Sequence, residues 1–308
     1  LGQLFDHGLD GLCVIAHISA VHCWLRGFSS IRLQMVLQFA FLQAQWEEFF
    51  THVLPHGTGQ LGVTEVNYGM ALLSLVHGIY GLIHEEGVDY TRPVSELVIT
   101  GINAGLVPSR LLDVVLDLFV QNDRATLDTK VDEVLGHVQL RDVVFMSWIG
   151  AVGVLSYLSA GRVISYLRNT LSIFKAFSYL LSPLVLVGFA LLDEFVEVDP
   201  TVLANSREAL RWKGLGAGLL LSHLTIKIIV YTKARQRVAL VQWDIGPVVL
   251  AAIAAVEPRL TDDGHVLLWR TVSVIALCRL VSWDGKALQH ITERLGIETF
   301  RIRSVISV

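Results

Sequence analysis

The chain has 308 residues, 53% of them hydrophobic and only 17% charged, whereas roughly a quarter of residues are charged in soluble domains. Its formal net charge is −4, and the basic residues are scattered among loops, so no basic face for nucleic acid is offered. This composition excludes an ordinary soluble domain and implies an all-α, polytopic transmembrane helical bundle.

A spanning helix needs about 20 mostly apolar residues. By that measure about eight segments qualify, at 4–25, 31–54, 66–83, 143–161, 174–192, 214–232, 238–256 and 265–283. They are expected to form one membrane domain over residues 1–308. The chain opens on Leu1 with no Met ahead of the first span and no basic-then-apolar leader, so residue 1 is expected to be a cut within a longer protein.

The first span begins with Asp6 and Asp10, which a helix places one turn apart on one face, where two carboxylates repel. A charge deep in a bilayer costs roughly 2.5–3.5 kcal/mol on insertion scales. Two readings follow. The carboxylates can simply favour the positive end of the helix dipole, or a divalent cation can offset their charge. The ordered set Gly2-x3-Asp6-x3-Asp10 favours the cation, and oxygen donors without cysteine at ligand spacing point to magnesium, with manganese as its substitute. Cys13, Cys23 and Cys278 read as small core residues without a disulfide framework.

The second span ends in Trp46-Glu47-Glu48-Phe49-Phe50-Thr51, and Glu65 opens the third. Two crossings separate the start of span one from the start of span three, so Asp6, His7, Asp10, Trp46, Glu47, Glu48 and Glu65 are expected at one side of the membrane. Trp46 reads equally well as an interfacial belt aromatic. Residues 84–142 are the longest non-spanning stretch, and apolar residues at helical spacing from Leu106 to Val134 suggest an amphipathic insertion on the membrane surface. Further on, Gly150 with Gly153, and Gly214, Gly216 and Gly218, suggest close helix packing. Pro183 should kink the fifth span and Pro247 the seventh. His17, His22, His223 and Lys227 lie within spans, where each can line a polar path or, as the simpler reading, satisfy an interhelical hydrogen bond. Arg162, Arg168, Lys233, Arg235 and Arg237 fall on one side by loop parity, which makes that side cytosolic.

Gly2-Gln3-Leu4-Phe5-Asp6-His7-Gly8-Leu9-Asp10 resembles the second half of the CDP-alcohol phosphatidyltransferase signature, D-x2-D-G-x2-A-R-x8-G-x3-D-x3-D, and its Leu-Phe-Asp-His-Gly phrase resembles the eukaryotic choline/ethanolamine phosphotransferase branch. The first half of the signature would lie upstream of Leu1. Trp46 to Thr51, Val63-Thr64-Glu65, Leu221 to Lys227, Asp244 to Pro247 and Thr299 to Ile302 are similar to further segments of that branch, which has about ten spans. The resemblance implies magnesium-dependent transfer of phosphocholine or phosphoethanolamine from CDP-choline or CDP-ethanolamine to diacylglycerol, with release of CMP. It implies Asp6 and Asp10 as metal ligands and His7 assisted by Glu65, or else Asp10, as the proton acceptor. Gly2, Trp46 and Glu47 would contact the substrate. It also implies a homodimer embedded among membrane lipids of the endoplasmic reticulum or Golgi, with the site open to the cytosol. Two other classes compete: a catalytically silent membrane scaffold, and a polytopic transporter, which would usually show repeated halves.

Overall fold

A computed structural model of the protein describes residues 8–18, 29–54, 72, 75–76, 78–79, 92–103, 136–192, 207–257 and 260–296. Among these, every regular element is a helix, and extended pairing is confined to an isolated bridge between Pro93 and Gln139. The chain divides into two compact units. One comprises Leu1–Ala20, Ser30–Thr58 and Val152–Val308, and the other Val21–Ser29 and Gly59–Ala151. In the second unit, the helix Val94–Asn103 is anchored at its start by Val94 N–H donating to Val138 O at 2.8 Å and Leu140 N–H donating to Arg92 O at 3.2 Å.

In chain order the helices are α1 (Gly8–Ile18), α2 (Ser29–Thr51), α3 (Val94–Asn103), α4 (Leu140–Leu167), α5 (Thr170–Ser178), α6 (Leu181–Ala190), α7 (Arg207–Ala234), α8 (Gly246–Ala255), α9 (Asp262–Arg279) and α10 (Gly285–Leu295). A short 3-10 turn, Trp243–Ile245, precedes α8, and a π-helical segment, Leu280–Asp284, joins α9 to α10. Local chemistry accounts for several ends. Asn169 caps α5 by accepting from Leu171 N–H at 2.9 Å, and Thr261 caps α9 by accepting from Gly264 N–H at 3.2 Å, with Asp262 and Asp263 in the first turn. Conversely, α2, α4 and α7 are each followed by a non-glycine residue with positive φ: His52 at 60°, Arg168 at 51° and Arg235 at 52°. That left-handed conformation is the usual helix-ending one, but glycine normally occupies it.

Four helical stretches are long and apolar enough to cross a membrane: Leu140–Leu167, Thr170–Ala190, Glu208–Ala234 and Asp262–Arg294. Among the described residues this is fewer than the sequence expectation of about eight, for identifiable reasons. Segment 31–54 is a helix, but Gln34, Gln38, Gln43, Gln45, Glu47 and Glu48 make it too polar to qualify. Segment 238–256 contracts to Trp243–Ala255, because Pro247 stands in the first turn of α8 and starts a helix there instead of kinking one. Of 4–25 the described part is α1, and 66–83, like most of the expected amphipathic insertion, lies largely outside the described residues. Pro183 acts as expected. The helix is interrupted at Tyr179–Leu180, where a proline ring four residues on crowds the preceding turn.

The first unit is built around α7. Of its most apolar stretch 83% is buried, against 12% for α4. Gly214, Gly216 and Gly218 let neighbouring helices reach its backbone, the close packing expected of them. A Cβ on Gly216 would lie 3.0 Å from Ser273 Oγ of α9, and one on Gly218 would overlap Gln34 Nε2 of α2 and meet Ile15 of α1 at 3.0 Å. Gly150 and Gly153 differ from expectation, since among the described residues no heavy atom lies within 4 Å of an added Cβ at either. Cys13 and Cys278 are free thiols but exposed, so they are not core residues.

The glutamines of α2 turn their polar ends into this packing. Gln34 Nε2 donates to Gly214 O at 2.7 Å, and Gln38 Nε2 lies 3.1 Å from each of Gly11 O, Gly218 O and Ser222 Oγ. Ser222 Oγ in turn donates to Gly11 O at 3.0 Å. Three helices therefore share one buried polar network, with the row Gly218, Ser222 and Ile226 seating α1.

Replacing Gly218 with alanine is expected to destabilise the protein by about 1–3 kcal/mol, because Gln34 and Ile15 must both move. Gly153→Ala, at an open helical position, should leave stability unchanged or raise it by up to about 1 kcal/mol. Thermal unfolding of the detergent-purified protein distinguishes the two.

Candidate functional site

Contacts along α7 orient its neighbours. Gly8 of α1 faces Ile226, Gly11 faces Ser222 and Ile15 faces Gly218, so α1 runs antiparallel to α7. On α2, Gln34 meets Gly214, Gln38 meets Gly218 and Glu48 meets Lys233, so α2 runs parallel. The start of α1 and the end of α2 therefore lie at one end of the unit, as the parity of two crossings requires. Arg162 near the end of α4 reaches Glu47, and Ser182 at the start of α6 bonds to Leu240 and Gln242, so these elements meet at the same end. Arg211 and Lys213, near the start of α7, mark the opposite one, where buried Lys213 places its ammonium 5.6 Å from the centre of the Trp269 ring. Arg162 and Lys233, which loop parity assigns to one side, thus both meet the end of α2, while Arg26, Arg259, Arg301 and Arg303 lie outside the described residues.

Of the residues expected at the site, Gly2, Asp6, His7 and Glu65 lie outside the described residues. Asp10 is half-buried in the first turn of α1, one residue before the Gly11 carbonyl that Gln38 and Ser222 hold. Its carboxylate is the hard oxygen donor that magnesium prefers, so it fits the implied metal in kind. Among the described residues no group of three or more His, Cys, Asp or Glu side chains is arranged to hold a metal ion.

Trp46 is 1% exposed, which removes it from an interfacial belt. Its indole Nε1 donates to Ala176 O at 2.8 Å, and Phe50 and Phe177 stand edge-on to it at 5.9 and 5.3 Å. The neighbouring glutamates are buried ion-pair partners. Glu47 accepts from Arg162 Nε and, at 2.8 Å, from Nη2, while Glu48 accepts from Lys233 Nζ at 2.6 Å. These contacts fix the upper ends of α2, α4, α5 and α7 relative to one another.

The row of α7 beside the α1 seat carries a constellation that sequence reasoning saw only in pieces. His223 Nδ1 lies 3.2 and 3.4 Å from the two Asp284 carboxylate oxygens, and its Nε2 lies 3.8 Å from Asp244. Lys227 Nζ donates to Asp244 at 2.7 Å and to Gln242 Oε1 at 2.6 Å, with the Trp283 ring centre 5.6 Å away. Arg279 adds a longer approach to Asp244 at 3.9 Å. Two acids thus face a lysine, an arginine and a histidine. His223 has the interhelical bond expected of it. His17 bonds within α1 instead, to Cys13 O at 2.8 Å. The pairing of Lys227 with Asp244 joins the segments Leu221 to Lys227 and Asp244 to Pro247. Asp284 and Trp283 had no comparable signal, since the π-helical winding that aims them leaves no mark in hydrophobic periodicity.

Lys227→Met leaves Asp244 without its closest cation and should cost about 3 kcal/mol. Adding Asp244→Asn should return part of that loss, a coupling that a double-mutant thermal unfolding cycle measures.

Compared with protein-family models and with curated proteins, the chain matches none of them.

Proposed function

We propose that the protein transfers phosphocholine or phosphoethanolamine from a CDP-alcohol to the hydroxyl of diacylglycerol, releasing CMP. One observation carries this reading: the Gly2-x3-Asp6-x3-Asp10 sequence leads directly into α1, the helix that the Gln38 and Ser222 bonds pin against α7. A soluble nucleotide donor and a lipid acceptor must meet at a membrane surface. The shared end of α1 and α2, rich in basic residues, suits a polyphosphate arriving from the cytosol.

Phosphoryl transfer requires charge on phosphate oxygens to be neutralised, the attacking and leaving oxygens to be aligned, and the alcohol proton to be accepted. Magnesium, when bound, would supply the charge neutralisation and part of the alignment. Asp6 and Asp10 would hold it, Asp10 standing next to Gly11, whose carbonyl accepts from Gln38 and Ser222. His7 would accept the hydroxyl proton, since imidazole titrates near working pH and a metal-bound carboxylate is the poorer base; Glu65 would orient it. Trp46 and Glu47, buried against Ala176 O and Arg162, would serve the substrate by positioning α2. Cytosolic orientation, in endoplasmic reticulum or Golgi membranes, belongs to the same proposal, as does a homodimer.

Membranes containing the full-length protein should transfer label from CDP-choline or CDP-ethanolamine to diacylglycerol in a magnesium-dependent manner. Asp10→Asn should abolish this, and His7→Ala should slow turnover by about a hundredfold or more. Unchanged turnover in His7→Ala would remove the histidine from the role of base. A folded full-length protein inactive with both donors would leave the silent scaffold as the better reading.

A further inference from the structure

The last three turns of α4 carry a feature that the proposed transfer chemistry leaves unused apart from the Arg162–Glu47 pair. Two adjacent rows of side chains, Tyr157, Gly161 and Ser165 in one and Leu158, Arg162 and Tyr166 in the other, border an open groove of about 740 Å³ that ends at Arg168. Among the described residues, no heavy atom lies within 4 Å of where a Cβ on Gly161 would sit, so the groove floor is bare backbone. From residue 157 to 168 it runs about 16 Å, close to half the thickness of a hydrocarbon core of about 30 Å.

Its chemistry changes along its length. The start is apolar and aromatic, with Tyr157 at 80% exposure, and the end carries two guanidinium groups and a hydroxyl. Buried Glu47 engages Nε and Nη2 of Arg162, which holds the fork rigid and leaves Nη1 uncommitted among the described residues. That pair is electrically neutral, so the surplus positive charge comes from exposed Arg168, followed by exposed Lys175 on α5. Arg168 occupies a left-handed position where glycine would be unstrained, and no described residue pairs with its side chain. A fixed donor fork beside a second arginine matches a phosphate, and tyrosines flanking an apolar trough match the interface of one leaflet.

We propose that this groove binds an anionic phospholipid of the surrounding leaflet, its phosphate between Arg162 and Arg168 and one acyl chain along Gly161. Inorganic phosphate would leave the stretch along Tyr157, Leu158 and Gly161 uncovered. Lys233, Arg235 and Arg237 at the same end of the unit reinforce attraction to an anionic leaflet.

Native mass spectrometry of the full-length protein, titrated with phosphatidic acid, phosphatidylcholine of the same chains or inorganic phosphate, tests it. The wild type should retain phosphatidic acid in preference to the other two. Arg168→Gly should weaken that retention about fivefold, the effect of one basic residue at an anionic headgroup, with an unchanged or higher thermal midpoint. Gly161→Leu, which projects into open space, should reduce retention at an unchanged midpoint. Equal retention by the wild type and both variants overturns the proposal. So does phosphatidylcholine binding as tightly as phosphatidic acid, or inorganic phosphate displacing the lipid at equal concentration.

Discussion

The side-chain amide of Gln38 ties three helices of this architecture together. It reaches two helix carbonyls, Gly11 on α1 and Gly218 on α7, and the Ser222 hydroxyl between them. In an apolar medium a polar side chain must find its partners inside the protein, and an unpartnered amide there is costly. A helix as rich in glutamine as α2 can therefore stand in such surroundings only if its neighbours expose acceptors. Glycine at 214 and 218 does this by removing the side chains that would screen the α7 backbone. Position follows from that constraint, since α1 is held at the depth where Gly11 completes the network, and Asp10 with it.

The ion pairs at one end of the unit serve a different purpose. Burying Glu47 and Glu48 costs desolvation energy that Arg162 and Lys233 roughly offset, so the pairs add little net stability. What they do add is registry. A helix displaced by one turn would strand a buried carboxylate, and that penalty disfavours other arrangements of α2, α4 and α7. Arg168 and Arg235, just past the ends of α4 and α7, also sit at the negative poles of two helix dipoles.

Hydrophobic length made the helices at 143–161, 174–192, 214–232 and 265–283 legible, because each is apolar around most of its circumference. The same measure misjudged 31–54, which is a helix of full length whose polar face is turned inward. Apolar length cannot tell a lipid-facing helix from one enclosed by others. Arg162 and Lys233 do lie together at the end of α2, since the direction of successive helices is a topological property independent of packing detail. Gly214, Gly216 and Gly218 were readable as packing positions, whereas Gly150 and Gly153 meet no atom of the described residues. His223 and Lys227 were visible as polar residues in a span. Their partners Asp244 and Asp284 come from a loop and from an irregular helix, and only the folded chain brings them together.

That irregular helix sets a limit on how the chain can vary. A π-helical turn is an α-helix with one residue added, and successive α-helical residues are rotated by about 100°. The wide turn absorbs the added residue, so loss of one residue from Leu280–Asp284 would let the segment close into ordinary winding while α10 kept the flank it presents. What would change is the turn itself, where Trp283 stands beside Lys227 and Asp284 beside His223. The cluster on α7 is therefore tied to the length of this turn, and the helix beyond it is not.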